Sequence, residues 1–362
     1  MCLVNHDSER QYLGSLNASC ASVTSVDHRR TKGILNCLTA LPRGEPLRIS
    51  YFRSARLRRA VQALTDLHRF DVVHVEHWKT AISLTGTLSG VPSVIDAVDC
   101  VSLLLRRQER IVAGRGMRWL VREERRRTEA KEASVLRCFD RAVAASTPDA
   151  LRLAELSGRQ VAVVPGGVDS VRFRPGPRRD PKTIIFAAKL DYFPNAQAAM
   201  HLCTEIMPLV WAKHPDARLA IVGNAPPHRL RAQGVDGRIR IVGFVPEMAP
   251  WLGSATVAVA PILAKAGMQL KLLEAMACGT PLVASSMAAA GLDARDGKDL
   301  LVADGPSEFA GAISTLLGSP PLRERLAAAG RRVAGEYSWE KSVAALERVH
   351  VDAAAGHRSG RA

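Results

Sequence analysis

Aromatic residues make up only 5% of this 362-residue sequence, while Ala, Val and Leu are abundant. That balance suits an α/β protein better than an all-β one. No apolar run approaches the roughly 20 residues needed to cross a bilayer. The opening "MCLVNHDSER" turns polar too soon for a signal peptide. The seven cysteines are scattered with no C-x-x-C spacing, the pattern of reduced thiols in a cytosolic protein. Several chemistries lack their signatures. There is no G-x-G-x-x-G after a strand, no G-x-x-x-x-G-K-[ST] loop, no H-E-x-x-H and no G-x-S-x-G elbow. D-x-D is also missing, so a divalent metal clamped on a diphosphate is not indicated.

Negative charge is scarce as well. Fifty Lys and Arg against 35 Asp and Glu leave a net charge of +15, which favours an anionic partner or is simply an arginine-rich composition. No helix-turn-helix, RNA-recognition or zinc signature accompanies it, and nucleic acid is not expected as a partner.

What is present is an alternation. From residue 183, the short apolar runs "TIIFAAKL", "RLAIVGN", "IRIVGFV", "VAVAP", "PLVAS" and "DLLVA" are separated by helical patterns. Continuous apolar runs between helices imply a parallel sheet covered on both faces. The first half repeats the theme at 70–77, 92–99, 139–146 and 161–169, with a long charged helical region over 101–137. "SVRFRPGPRRDPK" is rich in Pro and Arg and reads as a linker. The expected domains are therefore 1–170 and 183–362, joined by 171–182. Both are Rossmann-like, with a ligand cleft between them. The beginning looks short. A helix-like "SERQYLGSLNASC" precedes any recognisable strand, so the N-terminal domain is expected to lack its first βα unit.

One segment carries chemistry. "AKAGMQLKLLEAMACGTPLVAS" follows the strand "VAVAP" through a loop with Gly267 and delivers a helix start near Met268, Gln269 and Leu270. Unpaired amides and the helix dipole there favour an anion such as a diphosphate. Lys271 adds positive charge, and Glu274, one turn on, can accept hydrogen bonds from sugar hydroxyls. The alternative is an amphipathic helix with a solvated Lys and Glu.

The segment resembles the donor-site signature of the family 4 retaining glycosyltransferases, which have the GT-B fold. The resemblance extends to "VVPGGVDSVRFRP", "AAKLDYFPNAQAAMHLCTEIMPLVWAKHPDARLAIVGNAPP" and "IVGFVPEMAPWLGSATVAVAPI", in the family's order and spacing. The Tyr-Phe-Pro-Asn form of the second block resembles a subgroup linked to exopolysaccharide assembly. By this resemblance Glu274 matches the glutamate that binds the nucleotide ribose. Lys189 matches the basic residue on the pyrophosphate. Gly243, Phe244 and Val245 match the turn whose backbone holds the base. The family's first glutamate is Ala266 here, its later Lys-Gly pair is Pro194-Asn195, and Gly166 stands where Asn is usual.

On the acceptor side the family often carries a histidine where "PSVIDAVDC" offers Asp96 and Asp99. Either could orient an acceptor hydroxyl and take its proton, or cap the following helix. In "HVEH", His74 and Glu76 are expected on one side of a strand end and His77 on the other. The basic region around Trp119 reads either as a membrane-surface element or as a solvated face of Glu–Arg pairs.

The expectation is a cytoplasmic GT-B enzyme, peripheral at the inner face of the membrane. It would transfer a sugar from a nucleotide-diphosphate donor, with retention, to a lipid-linked or polysaccharide acceptor. An anionic membrane surface is a further partner, and the resemblance implies neither metal nor cofactor. The rival reading is a catalytically impaired homologue that binds nucleotide sugar or a partner protein.

Overall fold

Consecutive buried residues, not alternating ones, mark the strands. In the computed structural model, which describes residues 1–5, 7–176, 180, 182–235 and 237–359, the neighbours Ile184, Ile185 and Phe186 are all at most 1% exposed. Val94 and Ile95 are fully buried likewise. Successive side chains of a strand point to opposite faces, so each sheet is covered on both sides. Pro177, Arg178, Arg179 and Pro181 of the expected linker lie outside the described residues.

The chain divides into two units, Met1–Val164 with Ala345–Ala362, and Pro165–Ala344. The first begins with β1 (Cys2–Val4), a 3-10 turn and helix, and β2 (Ser25–Asp27). These two strands pair in parallel as a sheet of their own, Cys2 opposite Ser25 and Val4 opposite Asp27. This corrects the expectation that no strand precedes Tyr12. Val26 is buried in the unit's core, with Leu3 packed against it. β3 (Val73–Glu76), β4 (Ser93–Asp96), β5 (Arg141–Ala144) and β6 (Ala162–Val163) form a second parallel sheet in the order β3-β4-β5-β6. Leu346, Val349 and Ala353 of the last helix, Trp339–Ser359, pack with Val94 and Val143. That packing groups residues 345–362 with the first unit, whereas the sequence pattern placed them with the second domain.

The charged region 101–137 is two helices, Val101–Ile111 and Arg115–Leu136, broken at Gly114 with φ 87°. Most of its central arginines are paired. Arg122 and Arg125 reach Glu109 at 2.7 and 3.1 Å, Arg125 and Arg152 reach Glu129, and Arg127 reaches Glu123. Only the tip is bare, with Met117, Trp119 and Leu120 each more than half exposed.

The second unit holds β7 (Thr183–Ala187), β8 (Arg218–Val222), β9 (Ile239–Gly243), β10 (Val257–Ala260), β11 (Leu282–Ala284) and β12 (Leu301–Val302). All pairings are parallel, in the order β12-β11-β10-β7-β8-β9. The chain first winds outward from β7 to β9, then returns to β10 and winds the other way. The loops after β7 and β10 therefore leave the sheet on either side of a topological switch point. In open α/β sheets, ligands bind at the strand ends there.

Candidate functional site

The segment after β7 is held by backbone bonds from Ala188 N to Val222 O (3.0 Å) and from Leu190 N to Asn224 O (3.1 Å). Lys189, between them, has a largely exposed side chain 3.5 Å from Asp191. The next helix, Phe193–His201, begins with a proline in its first turn, where the missing N–H costs nothing. Asn195 follows, buried in that turn. Its Nδ2 donates to the Lys189 carbonyl at 2.8 Å, and its Oδ1 accepts from Lys271 Nζ at 2.7 Å. One amide thus joins the loop after β7 to the helix after β10.

That helix spans Leu270–Ala277 and has no side-chain cap at Gln269. It is reached through Gly267 at φ 68°, a left-handed turn that glycine adopts without strain. Lys265 is 3% exposed, and its Nζ donates to the Gly267 carbonyl at 2.9 Å, clamping the turn. Lys271 is the second residue of the helix, its ammonium 5.7 Å from the Phe186 ring centroid. Burial pushes its pKa down to about 8; Glu274 opposes the shift and Lys265 adds to it. Burial raises the Glu274 carboxyl, against the pull of Lys271 and Arg172. A buried ammonium without full compensation and a carboxylate one turn away form a polarised pair, the kind of setting found where ligands bind.

Glu274 also lines a cavity of about 510 Å³ with Leu270, Asp169, Arg172 and Trp339. The Gly-Gly-Val-Asp turn on its far wall is fixed. Val168 N donates to Tyr337 O, and Asp169 Oδ1 accepts from Val171 N and Arg172 N, each at 3.0 Å. A Cβ on Gly166 would lie 2.8 Å from Leu270 Cδ2, so an asparagine there needs Leu270 to move. Ala266 is 8% exposed.

Through Asn195 the Lys189 backbone is tied to Lys271, with Glu274 one turn on and Gly267, Met268, Gln269 and Leu270 leading into that helix, while the Lys189 side chain itself turns to Asp191. Phe244 and Val245 are not tied to this group. They follow β9 at the sheet edge, past the left-handed Gly243 (φ 80°), and Phe244 is 72% exposed. Sequence reasoning missed Asn195 and Lys265. The "KAG" and "YFPN" strings contained them, but only folding shows what their side chains reach.

The aspartates lie in the first unit. Asp96 ends β4, and its Oδ1 accepts from Val98 N at 2.8 Å. This bond helps hold Val98 at φ 63°, a strained conformation for a β-branched residue. Burial raises the Asp96 carboxyl. Asp99 is pushed up to about 7 by burial and then by Asp149, while Arg48 and Lys79 act in the opposite direction. Its Oδ1 is buried with no hydrogen-bond partner. The helix-cap reading of Asp99 is corrected. The helix Val101–Ile111 starts after Cys100, whose amide donates to Asp149 Oδ1 at 2.9 Å, and Ser102 N donates to Glu132 Oε1 at 3.2 Å. In "HVEH", His74 and Glu76 do share one side of β3, with buried Val75 between them, but the placement of His77 on the strand is corrected. β3 stops at Glu76, and His77 opens a helix at φ 65° with its pKa lowered to about 4 by burial and Lys79. His74 instead meets His350, 3.1 Å between ring nitrogens.

Residues 181–319 match the family described as "Glycosyl transferases group 1". Over 352 aligned residues the chain is 31% identical to the D-inositol 3-phosphate glycosyltransferase of Acidothermus cellulolyticus, covering 89% of this chain and 76% of that protein. The chain belongs to the group 1 glycosyltransferases. A second relative of this group 1 glycosyltransferase, the phosphatidyl-myo-inositol mannosyltransferase of Mycobacterium leprae, is 33% identical over 207 residues, 54% of each chain. Among solved structures, sucrose-phosphate synthase from Thermosynechococcus elongatus aligns at a TM-score of 0.65 with 18% identity, over 86% of this chain and 78% of that one. Anabaena HepE, in complex with UDP and glucose, aligns at 0.66 with 15% identity, over 93% and 87%. These neighbours have the GT-B fold, and the two parallel-sheet units here share it. Among the described residues, no helix is long and apolar enough to cross a membrane.

Proposed function

We propose that this chain transfers a sugar from a nucleotide-diphosphate donor, with retention, to a lipid-linked or polysaccharide acceptor in cell-surface glycan synthesis, at the cytoplasmic face of a membrane. The observation that carries the reading is the Lys189–Asn195–Lys271 linkage beside Glu274, set where the strand order reverses. The helix start at Leu270 and Lys271 stabilises the diphosphate as its charge grows on departure, with the exposed Lys189 as a second cation. Glu274 accepts a ribose hydroxyl from the cavity side. Asp96 and Asp99 are the acceptor-side carboxylates, and the half-neutral character of Asp99 near pH 7 suits a group that takes a proton. The proposal invokes no metal.

A thermal-shift screen against UDP-, GDP- and ADP-sugars tests the donor assignment. A donor at 100 times its Kd adds ~2.7 kcal/mol of stability. If no nucleotide sugar raises the melting temperature, the reading fails. The buried Ala266 favours a second reading, in which the chain binds donor without turning it over. A donor-induced shift with no transfer or donor hydrolysis selects that one.

A further inference from the structure

The helix Arg30–Ala40 is packed inside out. A surface helix of a globular protein normally buries its apolar stripe and turns small or polar residues to water. Here the buried residues are Gly33, Asn36 and Ala40. Asn36 Nδ2 anchors that side, donating to the carbonyls of Tyr51 (3.0 Å) and Arg53 (2.8 Å). Ile34, Leu35 and Leu38, with Leu41 just beyond, are 52, 49, 59 and 47% exposed. At 3.6 residues per turn, these four fall within about a third of the helix circumference. They form one stripe, not scattered exposures.

The stripe is flanked by unpaired positive charge. Arg29, Arg30 and Lys32 lie at one end and Arg43 at the other, all exposed. None of the four makes an ion pair among the described residues. Arg43 donates only to the Thr39 carbonyl, at 2.7 Å. The single acid of residues 28–48, Glu45, is committed to Arg53 and Lys131. This contrasts with the helix Arg115–Leu136, the more basic stretch in sequence, where carboxylates neutralise most of the central arginines. A second apolar element lies close by. Glu124 of that helix accepts from Leu47 N and Arg48 N, and Cys37 Sγ donates to Leu47 O, so Leu47 links the stripe's helix to the one bearing exposed Trp119.

We propose that the Ile34–Leu41 stripe docks in the interfacial layer of an anionic bilayer, with the flanking cations on lipid headgroups. Charge complementarity selects this occupant. A second copy of the chain meeting the same face across a two-fold axis would set the cations of one copy against those of the other. The inference extends the membrane-face part of the proposed function but does not depend on the donor assignment.

The test is co-sedimentation of the full chain with vesicles of phosphatidylcholine alone and of phosphatidylcholine with phosphatidylglycerol. Binding is expected only with phosphatidylglycerol and should fall steeply with added salt. Each cation near an anionic surface contributes about fivefold, so Arg29→Ala/Arg30→Ala/Lys32→Ala should lower partitioning by about a hundredfold. Ile34→Ser/Leu38→Ser should lower it by about tenfold or more while leaving the salt dependence in place. Circular dichroism melts check the fold. The charge variant replaces only exposed side chains, so its arm stands even if the serine variant misfolds. Three results overturn the proposal: no binding at low salt, equal binding to both vesicles, or a charge variant that binds like the parent. A dimer in light scattering that Ile34→Ser/Leu38→Ser disperses would assign the stripe to a second copy and overturn it too. Nucleotide thermal shifts are read separately, so the donor reading and the docking reading can fail independently.

Discussion

Lys271 and Asn195, 76 residues apart in the chain, share a 2.7 Å hydrogen bond. Asn195 spends its other amide atom on the Lys189 carbonyl, so a single side chain sets the spacing between two strand-end loops. Asn195→Ala should leave the fold intact but let Lys271 wander. Nucleoside-diphosphate affinity should fall by about threefold to tenfold, the worth of a typical hydrogen bond. Asn195 is a positioning residue, so a double-mutant cycle with Lys271→Met should be strongly non-additive. Additive losses would mean the two residues act separately.

The depressed Lys271 pKa makes a pH prediction. Its folded value near 8 lies below the ordinary 10.5, so its contribution to stability is present above 10.5 and is lost as pH falls through about 8. For ligand binding the direction reverses, because the charged form is the one a diphosphate attracts. Affinity for the nucleoside diphosphate should weaken as pH rises from 7 to 9, with proton uptake on binding at the upper end. Calorimetry in buffers of different ionisation enthalpy reads that uptake. Lys271→Met should abolish the pH dependence and weaken binding at pH 7 by about tenfold to a hundredfold.

Glu274→Ala should raise the Kd for the intact nucleotide sugar by about tenfold to a hundredfold, the worth of a hydrogen bond to a carboxylate. The melting temperature should hold, because burial already disfavours this carboxylate in the fold. Unchanged affinity in a folded variant would remove Glu274 from the site.

The first unit should lose stability as the solution becomes alkaline. Asp99 is raised to about 7 and Glu132 to about 8, both chiefly by burial. A raised carboxyl contributes its stability below the unfolded value near 4, and this is lost as pH rises through the folded value. The melting temperature should therefore decline between pH 5 and 8. Asp99→Asn should lessen the decline up to about pH 7, and Glu132→Gln should lessen it throughout and remove the part between about 7 and 8. A parent whose melting temperature rises over this range would contradict both assignments.

Two glycines stand at opposite extremes, Gly223 with a positive φ of 158° and Gly311 inside a helix. A Cβ on Gly223 would land on the carbonyl oxygen of Ala188, beside Lys189, whereas one on Gly311, in the helix Pro306–Gly318, meets nothing within 4 Å. Gly223→Ala should destabilise by about 1–3 kcal/mol, as overpacking does. Gly311→Ala should be neutral or stabilise by up to about 1 kcal/mol. Thermal melts of the two variants, run side by side, settle the contrast.

The strands from β3 to β12 could be read from the sequence because each is a run of apolar residues, such as Ile184–Phe186, closed by turn residues. β1 could not, since its short apolar run "CLV" passes at once into the polar "NHDSER" with no preceding turn to bound it. The helix Trp339–Ser359 could be recognised as a helix, but an amphipathic pattern does not say which core its Ala353 will enter. The donor segment was legible as a helix start with a lysine and a glutamate. Its link to Asn195 was not, because that bond depends on where two loops end in space. The stripe of Ile34, Leu35 and Leu38 was missed for a related reason. Apolar periodicity predicts a buried face, and here burial went to Gly33 and Asn36 instead.

The helix Val101–Ile111 cannot finish itself. Its leading amides, on Cys100 and Ser102, are met by carboxylates 49 and 30 residues further along. During synthesis those amides emerge before Glu132 and Asp149 exist. The turn must wait, hydrated or frayed, until the next two helices arrive. Once they arrive, their buried acids and the helix start are mutually dependent: releasing either strands charge or orphaned amides in an apolar interior. This part of the unit should therefore assemble late and all at once, with its amides among the slowest to exchange with deuterium.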